Sequence, residues 1–159
     1  MIADSPSRVM GTRVLIAEDH VDSATGIGRL LRLYGYDVTI ATDGRDAVRA
    51  ATRFVPHAAL IDLTLPVLDG FDVARQLRAS SATRACRLIA MTGWTADEYA
   101  DRVRAAGFDE HLVKPISVHA LLHALATIPT TSPSASPRPT EQRPSRADRV
   151  DVKRTARIR

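Results

Sequence analysis

The sequence predicts an α/β fold in which a five-stranded parallel sheet carries helices on both faces. Short apolar runs typical of buried strands alternate five times with longer segments whose apolar residues recur at helical spacing. The connections between these segments are short and rich in glycine, proline and charged residues. Strict alternation of strands and helices with short loops favours parallel strands joined by right-handed crossovers.

The first two strands and helices are predicted from the N-terminal third of the chain. Residues 13–18, RVLIAE, form a β-branched and leucine-containing run typical of a strand. Residues 20–34 place apolar side chains at helical spacing, and Gly35 supplies the stop. Residues 36–41, YDVTIA, predict the second strand. The Asp43-Gly44 turn then leads into a second helix that carries apolar residues up to Phe54 and that Pro56 closes.

The third and fourth strands and helices continue the same alternation. Residues 57–62, HAALID, predict the third strand, because an uninterrupted apolar run fits a strand covered on both faces. Residues 70–79 predict the third helix, and residues 87–92, RLIAMT, predict the fourth strand. A T-x-x-E capping box opens the helix predicted over residues 95–106, and Gly107 ends it.

The last strand and helix complete one domain. Residues 108–113 are a mixed run that predicts the fifth strand, and residues 117–127 predict the fifth helix. Residues 129–159 hold five of the nine prolines and too few apolar residues to offset the entropy of ordering. We therefore expect a flexible leader over residues 1–11, one domain over residues 12–128, and a disordered tail.

The net charge of +4 originates in the tail, which contains eight basic and three acidic residues. No apolar run approaches the roughly 18 to 20 residues that cross a bilayer, and the polar leader does not fit a signal peptide, so we expect a cytoplasmic protein without a membrane span. The single cysteine, Cys86, lies in an apolar strand-like run and is expected to be a buried, inert thiol.

Polar side chains capable of chemistry follow four of the five predicted strands. Glu18 and Asp19 follow the first strand, Asp62 ends the third, Thr92 ends the fourth and Lys114 follows the fifth. A single acidic residue in a loop is usually only solvated. Because the carboxyl ends of parallel strands meet at one edge of a sheet, however, we expect these five side chains to lie close together.

The charges of this group indicate a metal and a reaction. Three carboxylates and one lysine leave an excess of about two negative charges, and oxygen ligands without a paired histidine or cysteine favour Mg²⁺ over Zn²⁺. With a metal neutralising the developing charge, an oxygen of Asp62 can attack phosphorus and form an acyl phosphate. Thr92 offers a hydroxyl group and Lys114 a cation for the phosphoryl oxygens.

These motifs together resemble a known family. The pair Glu18-Asp19, the segment DLTLPVLDG around Asp62, the pair Thr92-Gly93 and the pair Lys114-Pro115 occur in the order of the receiver domain of two-component response regulators. That domain has the CheY-like, flavodoxin-like fold with strand order 2-1-3-4-5. The resemblance covers about residues 13–127, and IAMTGW and AAGFDEHLVKPI are most similar to receivers associated with hybrid sensor histidine kinases.

The resemblance implies a phosphoacceptor and a set of metal ligands. Asp62 would take a phosphoryl group from a histidine kinase or a histidine phosphotransfer protein. The chain would perform only self-phosphorylation and self-dephosphorylation and would not be an enzyme for an external substrate. Asp19 and Asp62 would bind Mg²⁺ directly, Glu18 largely through water, and Thr64 through its backbone carbonyl.

The resemblance also implies a switch beside the phosphorylation site. Thr92 and Lys114 would hold the phosphoryl oxygens, and the peptide bond before Pro115 would be cis. His111 stands where many members of the family have an aromatic switch residue, and the alternative is that it points into solvent. Gly93 and Trp94 would border the site; a packing or partner-contact role for Trp94 is the alternative.

The signal would leave through the fourth helix, the fifth strand and the fifth helix, toward a partner that the sequence does not identify. No output domain is expected in this chain. Two other functions remain open: a nucleic-acid-associated protein that acts weakly through the basic tail, and a hydrolase that uses the acidic cluster. The tail has no aromatic residues and no helix-turn-helix pattern, and no second substrate site is evident for a hydrolase.

Overall fold

The computed structural model describes residues 9–94 and 99–128, and within them the predicted fold class is confirmed. All strand pairs are parallel, and the strand order is β2-β1-β3-β4-β5. The strands β1 to β5 are Arg13–Ala17, Asp37–Ala41, Ala58–Asp62, Arg87–Thr92 and Glu110–Val113. The helices α1 to α5 are Val21–Leu33, Gly44–Phe54, Gly70–Ala79, Ala100–Ala105 and Val118–Ala126.

Helices cover both faces of the sheet, and the alternation along β1 shows how. Leu15 and Ala17 pack into one apolar cluster together with residues of α2, α3 and α4. Val14 and Ile16 point to the other face and pack with residues of α1 and α5. All five residues of β3, at the centre of the sheet, are buried. In β1 and β3 the polar residues, Arg13 and Asp62, therefore lie only at the strand ends.

Four strands, β1, β2, β3 and β5, are shorter than predicted by one or two residues, and His57 precedes β3 instead of opening it. Glu18 lies just beyond β1. Tyr36 is excluded from β2, since its N–H donates to the carbonyl of Leu31 and so closes the end of α1. Phe108 is excluded from β5, because its N–H donates to the carbonyl of Val103 in α4. The bounds of α3 and β4 agree with the prediction.

The fourth helix is described only from Ala100 to Ala105. The capping box predicted at residues 95–98 lies outside the described residues, as do residues 1–8 of the leader and the tail from residue 129. Gly107 has a φ of +99° and follows the end of α4, as predicted. Among the helices that the structure describes, none has the length and apolar character needed to cross a membrane.

Candidate functional site

Four of the predicted side chains meet at the carboxyl edge of the sheet. Oxygen atoms of Glu18, Asp19 and Asp62 lie within 4.8 Å of one another. Glu18 and Asp62 are 1% and 4% exposed, whereas Asp19 is open to solvent. The ammonium nitrogen of Lys114 lies 2.7 Å from Oε2 of Glu18 and 2.6 Å from Oδ2 of Asp62. One cation therefore bridges two buried carboxylates.

The register of the sheet explains this convergence. In the β1 and β3 pair, Ala17 lies opposite Ile61, so the residues that follow Ala17 lie beside Asp62. Lys114 follows β5, and its backbone N–H donates a 2.7 Å hydrogen bond to the carbonyl of Thr92, which fixes the backbone of Lys114 beside the end of β4. The peptide bond between Lys114 and Pro115 is cis, as predicted.

The carboxylate of Asp62 is held by a second residue of its own loop. Its Oδ1 accepts hydrogen bonds from the backbone N–H and from the hydroxyl group of Thr64, both at 2.8 Å. The sequence predicted a role only for the backbone carbonyl of Thr64 and did not indicate the hydroxyl contact. A threonine two residues after a buried aspartate is the signal that could have indicated it, because such a side chain can fold back on its own turn.

The electrostatics keep Asp62 ionised. Burial by itself raises the pKa of this carboxyl group, but the hydrogen bonds from Lys114 and Thr64 outweigh burial and hold the pKa below its ordinary value. Burial likewise disfavours the charged form of Lys114, yet Asp62 and Glu18 together raise the pKa of the ammonium group. At neutral pH the site thus contains an anionic oxygen nucleophile beside a fixed cation.

Two glycines allow the loop after Asp62 to pack tightly. A Cβ atom on Gly70 would lie 2.3 Å from the carbonyl oxygen of Asp62, so only glycine lets α3 begin there. A Cβ atom on Gly44 would lie 1.8 Å from the carbonyl oxygen of Leu68. Gly44 also donates its N–H to the carbonyl of Pro66 at 3.1 Å. The first residues of α2 and α3 therefore pack closely against the loop that follows Asp62.

Thr92 lies at the same edge but has a different partner. It is 4% exposed, and its hydroxyl oxygen accepts a 3.1 Å hydrogen bond from the backbone N–H of Trp94. The ring of Trp94 stacks on Tyr99 at a centroid distance of 4.6 Å and is still 43% exposed. The intervening Gly93 is exposed, and a Cβ atom added to it would meet no atom within 4 Å. The aromatic stack was not predicted, because the positions of Trp94 and Tyr99 in the sequence do not show that their rings meet.

His111 lies on β5, opposite Ala90 of β4, and is half-buried. It is therefore neither fully inside nor fully in solvent. Its predicted role as a switch stays a prediction.

The donor atoms fit a hard divalent cation. The three clustered carboxylates supply oxygen ligands only, which suits Mg²⁺ rather than a soft metal. The exposed carboxylate of Asp19 gives the cluster an open side toward solvent. Lys114 balances one of the three negative charges, so an excess remains for a cation. The arrangement combines a nucleophilic carboxylate, the ammonium group of Lys114 and a group of oxygen ligands for a metal ion. These are the groups that phosphoryl transfer requires.

Comparison with known proteins gives a family match. A family model described as the response regulator receiver domain matches residues 14–126. The transcriptional regulatory protein PrrA of Mycobacterium tuberculosis is 41% identical over 110 residues, which cover 67% of this chain and 45% of PrrA. The response regulator MprA of Mycobacterium sp. is 32% identical over 131 residues, covering 80% of this chain and 55% of MprA. The chain thus spans about half the length of these curated relatives.

Solved structures agree with this match. The receiver domain of the sensor histidine kinase PA1611 from Pseudomonas aeruginosa, with a magnesium ion coordinated in its active-site cleft, is 36% identical, with a TM-score of 0.69. The matched region covers 74% of this chain and 97% of that domain. The chemotaxis response regulator CheY4 of Vibrio cholerae is 28% identical, with a TM-score of 0.70 over 76% of this chain and 99% of CheY4.

Proposed function

Because the chain belongs to the response regulator receiver family, we propose that Asp62 accepts a phosphoryl group from a histidine kinase or a histidine phosphotransfer protein. The observation that carries this proposal is the environment of Asp62, a buried carboxylate with Lys114 at 2.6 Å and two donors from Thr64. Among the described residues, no other acidic cluster has this composition.

The side chains of the site would share the transfer step. An oxygen of Asp62 attacks phosphorus, the P–O bond forms as the P–N bond of the phosphohistidine breaks, and the electron pair of that bond returns to the imidazole nitrogen. Thr64 fixes the rotation of the carboxylate through its two hydrogen bonds. Lys114 already lies against Oδ2 and would follow the negative charge onto the transferred phosphoryl oxygens.

Mg²⁺ is the cofactor that we propose. Asp19, Asp62 and the backbone carbonyl of Thr64 would hold the ion, with Glu18 taking part through water. When bound, it would neutralise negative charge on the phosphoryl oxygens. Without a cation the acidic cluster carries an uncompensated excess of negative charge that would repel a phosphoryl group.

Signal output would begin at Thr92. In the proposed phosphorylated state its hydroxyl group would turn toward a phosphoryl oxygen and release the N–H of Trp94, which it now accepts. That exchange would bias two arrangements of α4, β5 and α5, with His111 moving between its half-buried position and the interior. The downstream partner would bind this face.

The phosphodonor protein would dock beside the site. A groove of about 320 Å³ lies between α1 and the start of α5, and Ile27, Leu30, Pro115 and Ile116 contribute apolar walls to it. Lys114 also lines this groove, so a helical donor seated there would lie next to the phosphorylation site. Filling the groove with Gly26→Leu should slow transfer from a phosphorylated histidine phosphotransfer protein and leave labelling by acetyl phosphate unchanged.

The test of the proposed function is phosphorylation by acetyl phosphate in the presence of Mg²⁺. Wild type should incorporate phosphate at one residue, in a form that acid, base and hydroxylamine all release as expected of an acyl phosphate, and Asp62→Asn should incorporate none. The matched control is Asp37→Asn, which changes an exposed aspartate at the opposite edge of the sheet and should label as wild type does. Equal labelling of wild type and Asp62→Asn would remove the proposal. The nucleic-acid alternative concerns the tail, which lies outside the described residues.

A further inference from the structure

Two histidines on α5 form a second group of metal-ligating side chains, away from the carboxylate cluster. We propose that His119 and His123 together bind a divalent cation of borderline softness on the exposed side of α5. Zn²⁺, Cu²⁺ and Ni²⁺ are the cations of this class. Both side chains are exposed, and their rings are nearly parallel, with centroids 6.3 Å apart and planes inclined by 20°. The two residues are four positions apart in one helix.

The helix presents these rings as a pair. Residues four apart in an α-helix lie one above the other on one face, so both imidazoles can reach a common point above the surface. The first turn is fixed by the hydroxyl group of Ser117, which accepts the N–H of Ala120 at 3.1 Å. Leu121 and Leu125 are 2% exposed and anchor the opposite side of the helix in the core. The spacing of the rings is therefore set by a packed element.

Both imidazoles have their nitrogen atoms available. Across residues 9–94 and 99–128, neither ring makes a hydrogen bond or an ion pair with the protein. The two rings stack on each other. The contrast is His57, whose Nδ1 accepts the N–H of Arg13 at 2.9 Å. The chain has five histidines, and none lies in the tail or in residues 95–98, so no undescribed histidine competes with the pair.

The ligand type selects the metal. Imidazole nitrogen is a good ligand for Zn²⁺, Cu²⁺ and Ni²⁺ and a poor one for Mg²⁺, which prefers oxygen. Two histidines at i and i+4 on one helix are also a spacing that zinc sites use. The chain would thus have two sites of opposite preference, with oxygen ligands at the strand ends and nitrogen ligands on α5. Water would complete the coordination, because both residues face solvent.

The test is Zn²⁺ binding by the full chain, purified without a polyhistidine tag and kept in excess Mg²⁺ so that the carboxylate cluster is occupied. At a Zn²⁺ concentration ten times the dissociation constant, the melting temperature should rise by roughly 4 °C. His119→Ala and His123→Ala should each weaken binding by about tenfold or more, since each leaves a single imidazole and removes the chelate effect. Because both residues are exposed, the two variants should fold.

The control variant separates this site from the carboxylate edge. His20 is exposed and lies next to Asp19, so His20→Ala should bind Zn²⁺ as wild type does. Loss of binding in His20→Ala, with binding retained in His119→Ala, would place the ion at the carboxylate edge and overturn the proposal. Failure of wild type to bind would overturn it as well. A direct readout is the electron paramagnetic resonance spectrum of one equivalent of Cu²⁺, which should show two nitrogen ligands in wild type and one in either α5 variant.

Discussion

The ammonium group of Lys114 donates a 2.6 Å hydrogen bond to Oδ2 of Asp62, although 52 residues separate the two in the chain. The same nitrogen lies 2.7 Å from Oε2 of Glu18. Asp62 and Glu18 are almost completely buried, whereas the side chain of Lys114 is 31% exposed. The lysine thus stabilises two carboxylates that the fold has removed from water.

Replacing Lys114 with glutamine should destabilise the protein when divalent cations are absent. Two buried carboxylates then lose their cation, and we expect the free energy of unfolding to fall by about 2 kcal/mol at pH 7. Urea unfolding in the presence of a chelator measures this value. The same substitution made in the Asp62→Asn protein should cost clearly less, because one carboxylate is already gone. Equal costs in the two backgrounds would mean that the pair contributes nothing.

The pH dependence of that difference follows from the directions of the two pKa shifts. The pKa of Asp62 is held below its ordinary value of 3.8, so its stabilisation is present above that value and is lost as the pH falls through the folded-state pKa. The pKa of Lys114 is raised above 10.5, so its stabilisation is present below that value and is lost as the pH rises through the folded-state pKa. The cost of Lys114→Gln should therefore be constant between these limits and shrink beyond them.

Trp94 should report occupancy of the phosphorylation site. The backbone N–H of Trp94 donates to the hydroxyl oxygen of Thr92, and the indole ring stacks on Tyr99. A rotation of the Thr92 hydroxyl group would therefore shift the ring. Adding Mg²⁺ and a beryllofluoride phosphate mimic should change the emission of Trp94. The change should be much smaller in Thr92→Ala, even where binding of the mimic is shown independently.

The same substitution tests the route of the signal. Thr92→Ala should uncouple phosphorylation from partner binding, while His111→Ala should perturb partner binding in a pH-dependent manner if His111 takes part. Phosphorylation-dependent partner binding that survives intact in Thr92→Ala would exclude this route.

Two glycines in α1 should respond differently to alanine. A Cβ atom on Gly26 would meet no atom within 4 Å, so Gly26→Ala should raise the free energy of unfolding by about 0.5 to 1 kcal/mol through helix propensity. A Cβ atom on Gly28 would lie 3.1 Å from Ile40 and 3.2 Å from Arg32, so Gly28→Ala should give a smaller gain or a loss. Urea unfolding of both variants provides the comparison, and a larger gain at Gly28 would contradict it.

Cys86 should be chemically inert in the folded protein. Burial raises the pKa of its thiol to about 12, so the thiolate is scarce at pH 8. Its reaction with Ellman's reagent should be slower by a factor on the order of one hundred or more than in the unfolded chain. Labelling of the native protein at the rate of a free thiol would show that the segment around Cys86, just before β4, opens readily.

The tail should be dispensable for folding and for phosphorylation. Within the part of the chain that the structure describes, the last helix ends at Ala126, and the carboxylate cluster, Thr92 and Lys114 all lie before residue 129. A chain that ends at Ile128 should melt within roughly 2 °C of the full chain and accept phosphate at a similar rate. Loss of folding or of labelling on truncation would show that the tail is part of the domain.

The amino-acid sequence by itself determined the order and type of the elements. Apolar runs and helical spacing are local patterns, and they predicted the bounds of α3 and β4 without error. The convergence of Glu18, Asp62 and Lys114 was also predicted, because any parallel sheet brings the carboxyl ends of its strands to one edge. The fit of this edge to a divalent cation agrees with the residue types that the sequence places there.

The tertiary structure alone decided which atoms meet. The bridge from Lys114 to Glu18 joins residues 96 positions apart, and the ring of Trp94 stacks on that of Tyr99. The strand ends at Tyr36 and Phe108 were predicted wrongly, because both N–H groups bond to a preceding helix rather than to a neighbouring strand. Periodicity reports which face a residue occupies, whereas hydrogen bonds and ring contacts depend on distances of a few ångströms between segments that only the folded chain brings together.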